Sequence, residues 1–277
     1  MDIEKFHELI VDSSAFSTIE EYLTSKKSNF QIKGLIGSQA AILAAALHTK
    51  VGGSHLFILN DKTEAIFFEN DLQNFLEKKE ILFLPDSFKR LGKFEEGNSS
   101  SIQLRAETLN KLINPREKTI LAVTHPEAII EKVVGVKKLK ENTIRLKVGE
   151  KVDVDFMLEL LLEYGFHRED FVYEPGEFSI RGGIVDVYSF GNEFPYRIEL
   201  MGDEVESLRT FDPESQISQK KITSLNIIPN INEQFDRDAY ADIFEFLPKD
   251  LTIWIEDIES FKDILQTYST SALDEFE

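Results

Sequence analysis

Three short apolar runs in the first half of the chain, each followed by a helix-forming stretch, constrain the fold more than any other feature. Phe30 to Ile36 precedes SQAAILAAALHT, rich in the helix formers Ala and Leu. The run HLFILN, from His55 to Asn60, precedes Ala65, Phe68, Leu72 and Leu76 at helical spacing, and Asp61 is placed to cap that helix. Ile81 to Leu84 stops at Pro85, and a helix through Leu104 and Leu109 follows the polar loop EEGNSSS. Thr119 to Val123 supplies a further strand. Strands alternating with helices call for a parallel sheet covered on both faces.

The rhythm changes after about residue 130. Val154 to Tyr164 reads as a helix with Met157, Leu160, Leu161 and Tyr164 on one side, and Gly165 stands where a C-cap belongs. From Phe171 to Ile228 the apolar runs are short and broken by Gly and Pro: IVDVY, YRIEL, VESLRTF and SLNII. Such runs predict a small antiparallel α+β domain. After Pro229 a helix, the strand LTIWI and another helix return to the first rhythm. The end of the chain, SALDEFE, reads as the end of a fragment.

At 277 residues with 42% hydrophobic composition, the chain has material for two cored domains. No apolar run approaches the roughly 18 residues of a membrane span, and MDIEKFHELI lacks the basic-then-apolar order of a signal peptide, so a cytoplasmic protein with no membrane partner is expected. The absence of cysteine removes disulfides, thiolate metal sites and cysteine nucleophiles. The net charge of -19 opposes broad nucleic-acid binding, since phosphates are held by clustered Lys and Arg. The acidity is uneven: residues 231–277 hold 13 acids against 3 bases, whereas residues 131–150 hold six bases against three acids.

The segment Gly34-Leu35-Ile36-Gly37-Ser38-Gln39-Ala40-Ala41 lies where a phosphate-binding loop belongs, between an expected strand and a helix. In GxxxxGK[ST] spacing from Gly34, the last glycine is replaced by Gln39, the lysine that reaches the phosphates by Ala40, and the magnesium-binding hydroxyl by Ala41. The loop reads as a degenerate, inactive P-loop, a glycine turn that packs a helix on a sheet. The five histidines His7, His48, His55, His125 and His167 have no metal-ligand spacing, and no nucleophile elbow is present. The residues offer no catalytic constellation and call for no metal or cofactor.

The densest pattern runs from Gly165 to Gln216: GFHREDFVYEPGEFSIRGGIVDVYSFGNEFPYRIELMGDEVESLRTFDPESQ. Pro175-Gly176 is a turn, Gly182-Gly183 permits positive φ or close backbone approach, and Gly202-Asp203 is a hairpin turn. This run resembles the UvrB-homology region of bacterial transcription-repair coupling factors (Mfd), whose pattern is close to PGEFxxRGGIxDxxP followed by PxRIExxGDExxSxRxFDxxxQ. GLIGSQAAILAAAL and THPEAIIEKV extend the resemblance backwards, so that it covers roughly residues 30–230. UvrB is the alternative relative. Ala40 and Ala41 depart from its functional ATP loop, and the 20 or so residues from Pro85 to Leu104 leave no room for its DNA-gripping hairpin.

The resemblance implies a discontinuous α/β domain (residues 1–130 and 214–277) with a degenerate nucleotide fold. Into it an α+β adaptor (131–213) is inserted, and this adaptor binds UvrA. Arg168 and Arg181 match the family's basic docking positions. Ser179 stands where UvrB carries another arginine, and Tyr188 where the family often places an exposed aromatic. Each has a plainer reading: Arg181 paired with Glu177 or Asp186, Tyr188 and Trp254 in the core, Arg197 and Arg209 in sheet-face ion pairs. The resemblance further implies a longer parent, an ATP-dependent DNA translocase whose absent motor domains use ATP and Mg and contact RNA polymerase and DNA. The alternative is a UvrB-like or helicase-like ATPase or DNA-binding domain.

Overall fold

The computed structural model describes residues 10–25, 29–76, 79–87, 99–115, 117–230 and 239–274. By its internal contacts the chain forms two compact units. The first takes residues up to Leu84, Pro115–Ala128 and those from Leu247 on; the second takes Pro85–Asn114 and Ile129–Phe246.

The first unit is built on a parallel sheet of β1 (His55–Ile58), β2 (Ile81–Leu84), β3 (Leu121–Thr124) and β14 (Thr252–Ile255), in the order β14-β1-β3-β2. All four residues of β1 and of β3 are buried, as strands covered on both faces must be. Helices α1 (Ser14–Thr24), α2 (Gln39–Val51), α3 (Lys62–Phe75) and α8 (Ile258–Asp274) complete it. The alanines of α2 let its backbone lie close to the sheet: Ala41, Ala44 and Ala45 share one cluster with Phe57, Leu72, Leu121 and Val123. Asp61 caps α3 by accepting the Glu64 N–H at 2.9 Å.

The strand expected over Phe30 to Ile36 does not form. Phe30 and Ile32 pack against the cluster of Phe16, Ile19, Leu43 and Leu47, but Gly34 turns the chain away at φ +86, and Leu35 and Ile36 are 42% and 78% exposed. Without a neighbouring strand, an apolar run can bury side chains and still remain irregular. Most of the helix expected after Pro229 falls on residues 231–238, outside the described residues; a single 3-10 turn, Ile243–Phe246, lies beyond them.

The second unit holds a six-stranded sheet of β6 (His167–Arg168), β7 (Glu177–Arg181), β8 (Ile184–Val187), β9 (Tyr196–Met201), β10 (Glu204–Phe211) and β11 (Ser218–Ile222). Neighbours follow sequence order; β6 and β7 run parallel and the other pairs antiparallel. A separate ladder joins β5 (Ile144–Lys147) to β12 (Ser224–Ile227), and β4 (Val133–Val134) pairs with β13 (Tyr240–Ala241). Residues 214–246, read from the sequence with the first domain, therefore lie in the second unit, because β11 extends its sheet and β12 closes its ladder.

Helix α7 (Val154–Glu163) covers one face of this sheet, with Met157 and Leu161 in a cluster that includes Phe166, Phe178, Val185, Ile198 and Leu208. Asp153 caps its start, and a Schellman motif ends it: Phe166 N–H donates to Leu161 O at 2.9 Å and Gly165 N–H to Leu162 O at 3.1 Å. The two glycines of RGG have different reasons. Gly182 takes φ +61 in the two-residue turn, whereas a Cβ on Gly183 would meet Leu200 O at 2.8 Å. Helices α4 (Ser99–Ile113), α5 (Pro126–Ile130) and α6 (Val136–Glu141) complete the order of elements.

Candidate functional site

Strand alternation sends Phe178, Ile180, Val185, Val187 and Ile198 toward α7 and leaves Ser179, Asp186, Arg197 and Arg209 in register on the opposite face. Asp186 is the centre of that face and is fully buried. Its Oδ1 accepts Arg197 Nε at 2.8 Å, and its Oδ2 accepts Arg197 Nη2 at 2.9 Å and also Arg181 Nη2. The hydrogen bonds to Asp186 raise the Arg197 pKa above its ordinary value, against the opposing pull of burial. Arg197 lies over the Phe211 ring at 4.5 Å, and Arg209 pairs with Glu199 at 3.1 Å.

Over this face runs the loop from Glu169 to Glu174, and side chains from three parts of the motif hold its backbone. Glu177 Oε2 accepts the N–H groups of Tyr173 (2.7 Å) and Glu174 (2.9 Å). Arg181 Nη1 donates to Asp170 O at 3.4 Å, and its guanidinium lies 4.8 Å from the centre of the Phe171 ring. Gln216 Nε2 donates to Val172 O at 2.9 Å and to Pro213 O at 2.7 Å. Gln216 has φ +59, an uncommon conformation for a residue with a side chain, and these hydrogen bonds help hold it there. Val172 points inward to Tyr188 and Phe211, while Phe171 and Tyr173 remain 48% and 54% exposed.

The expected docking residues occupy different settings. Arg168, on the edge strand β6, is exposed and has no hydrogen bond or ion pair among the described residues. Arg181 is 36% exposed and already engaged by Asp186, Asp170 and Phe171. The expectation of an exposed Tyr188 is corrected. It is buried, its hydroxyl donates to Glu193 O at 2.7 Å, and Gln103 donates to that hydroxyl at 3.5 Å. Desolvation raises its pKa. Tyr188 follows directly on β8, in the outward phase, but Val172 and Phe211 cover it. Ser179 is buried too, in register with Asp186. Surface aromatics come instead from Phe171 and Tyr173. Their signal in the sequence was the alternation Phe-Val-Tyr, which places one residue inward between two outward ones.

In the first unit, the loop of residues 34–41, expected to be a degenerate P-loop, is closed on itself. Gln39 Oε1 accepts the Ile36 N–H at 2.9 Å, Ser38 makes no side-chain capping bond, and Ala41 is buried on the sheet-facing side of α2. Gly34 and Gly37 both have positive φ, while Ala40 is half-buried. Among the described residues, no group of three His, Asp or Glu is arranged to hold a metal ion, and no helix is long and apolar enough to cross a membrane.

A further feature was missed from the sequence. Arg105 on α4 is 1% exposed; it donates to Pro85 O at 2.7 Å and Glu131 O at 3.0 Å, with the Glu131 carboxylate 3.6 Å away. Its signal was an arginine in the stripe Arg105, Thr108, Leu109, Leu112, all buried at helical spacing.

The ladder of β5 with β12 and the whole six-stranded sheet coincide with the match to a known family. Residues 144–232 match the UvrB interaction domain. This stretch of the chain is similar to that family. The chain is also similar over most of its length to transcription-repair-coupling factors. It is 30% identical over 228 residues to that of Bacillus subtilis, covering 82% of this chain and 19% of the relative. It is 34% identical over 208 residues to that of Staphylococcus haemolyticus, covering 72% and 17%, and 32% identical over 225 residues to that of Staphylococcus epidermidis, covering 79% and 18%. The chain spans about a fifth of the length of the curated relatives it matches.

Proposed function

We propose that this chain is the recruiting part of a transcription-repair coupling factor, and that its UvrB interaction domain docks UvrA. The observation that carries the reading is Arg168: an exposed arginine on an edge strand of that domain, with no hydrogen bond or ion pair among the described residues. Arginine keeps its charge at any relevant pH and offers a planar fork to a carboxylate partner. Arg181 adds a second, half-exposed guanidinium whose direction is set by Asp186 and Phe171.

The first unit supports a scaffold rather than a motor. Its glycine segment has the residue types of a degenerate P-loop, and its Ile36 amide is taken up by Gln39 instead of being left for an anion. ATP hydrolysis, DNA translocation and contact with RNA polymerase fall to further domains of a longer protein. The test is calorimetric titration of UvrA into this chain, with Arg168→Glu as the control. Saturable binding that is lost in the variant, at unchanged melting temperature, is expected. Absence of binding to the unaltered chain overturns the reading.

A further inference from the structure

The loop over the outer face of the sheet has a feature that neither its length nor its charge requires. Glu177 from β7, Arg181 from the same strand and Gln216 from beyond β10 all spend side-chain hydrogen bonds on the backbone of residues 170–174. The side chains of that loop are thereby divided. Val172, fully buried, is locked against Tyr188 and Phe211, and Phe171 and Tyr173 stand outward with ring centres 6.4 Å apart. A surface loop that merely joined β6 to β7 would need neither three clamps nor two large rings in water.

We infer that Phe171 and Tyr173 form the apolar anchor of the UvrA-docking surface; this rests on the function proposed above. The occupant follows from the surroundings. Phe171 lies directly under the Arg181 guanidinium, so the rings continue the surface on which Arg181 lies; Arg168, in register with Phe178, flanks the loop from the edge strand where it starts. Glu169, Asp170 and Glu174 give the same rim acidic groups. A rim of mixed sign orients a partner but supplies little affinity, which at protein interfaces comes from a few desolvated aromatic and arginine side chains near the centre. Clamping the backbone removes the ordering cost that a free loop would incur on binding, so the rings are presented already in place. The complementary surface on UvrA is an apolar socket with a carboxylate at its edge to meet Arg181.

The experiment titrates UvrA against the whole chain, against Phe171→Ala/Tyr173→Ala, and against Arg168→Glu, with melting curves for each. The double alanine variant is expected to bind at least about tenfold more weakly, because both anchors are removed, and to melt like the unaltered chain, because neither ring is buried. Tyr173→Ala alone, which leaves the Phe171 ring beside Arg181 in place, gives a second reading if the double variant melts early. Undiminished affinity in the double variant, with Arg168→Glu still defective, overturns the aromatic anchor and leaves the proposed function standing. Failure of the unaltered chain to bind removes both.

Discussion

Two glycine-containing loops on this chain, one in each unit, are closed by side chains reaching back to backbone, and they differ in how many. At residues 34–41 a single exposed glutamine, Gln39, accepts one amide hydrogen. At residues 169–176, Glu177, Arg181 and Gln216 make four such bonds from separate points of the chain, and Asp186 anchors one of the clamps from beneath. A loop held at one local point keeps its shape through glycine dihedrals. A loop held both from a strand and from a turn beyond another strand inherits the rigidity of the sheet. The second arrangement suits a surface that must be recognised, because its shape exists before the partner arrives.

The strongest test of that contrast is Asp186→Ala. It leaves Arg197, 15% exposed, and Arg181, 36% exposed, without their shared carboxylate. Breaking a buried pair from one side typically costs about 3–5 kcal/mol, with Arg181's share reduced by its solvent access. Urea unfolding should show a loss of at least about 2 kcal/mol for the second unit. A loss within the about 0.5 kcal/mol of an ordinary surface substitution would mean that the sheet, not the network, holds this face.

Charge reversal separates the two arginines next. Arg168→Glu should remove UvrA binding without moving the melting temperature. Arg181→Glu should lower both, since it places a carboxylate beside buried Asp186 and frees the carbonyl of Asp170. Identical melting of the two variants would contradict the engaged position of Arg181.

The clamps themselves can be compared directly. Gln216→Ala removes the hydrogen bonds to Val172 O and Pro213 O, each worth about 0.5–1.5 kcal/mol, and should open residues 169–174 to limited proteolysis. Gln39→Ala removes one exposed bond and should cost less than about 0.5 kcal/mol. Equal cleavage rates in the two loops of the respective variants would erase the distinction between them.

The smallest effect is a pH dependence confined to the first unit. Trp254 N–H donates to His55 Nδ1 at 3.1 Å, so the His55 Nε2–H must be the group that meets Gly52 O at 3.1 Å, and the ring is neutral. Burial lowers the pKa of both His55 and His48 below 6.5. The unfolded chain therefore takes up protons first: stability is full above about pH 6.5 and declines as the pH falls below it. Glu256, raised by burial and by Glu64, pulls the other way, so the comparison is made within one background. His48→Leu should flatten the decline in melting temperature between about pH 7 and 5; parallel curves would remove the histidine account.

Much of this molecule is legible in its sequence. The apolar run at Ile81–Leu84, the Asp61 cap, the Gly165 stop and the glycine turns depend on interactions within a few residues, so local chemistry decides them. Arg197 and Arg209 were readable as sheet-face ion pairs because strand alternation puts residues of one parity on one side. The stretch from Phe30 to Ile36 went the other way: its residues suit a strand, but a strand needs a neighbour, and the sequence cannot supply one. Tyr188 shows the same limit at the level of one side chain. Its outward phase was evident, but whether outward meant exposed depended on Val172, 16 residues earlier, folding back over it. Composition, periodicity and motif settled most of the elements that form and pointed to the family whose model residues 144–232 match. Only the tertiary structure decided which of the motif's polar residues face a partner and which hold a loop, because burial is a property of everything packed around a residue and not of the residue itself.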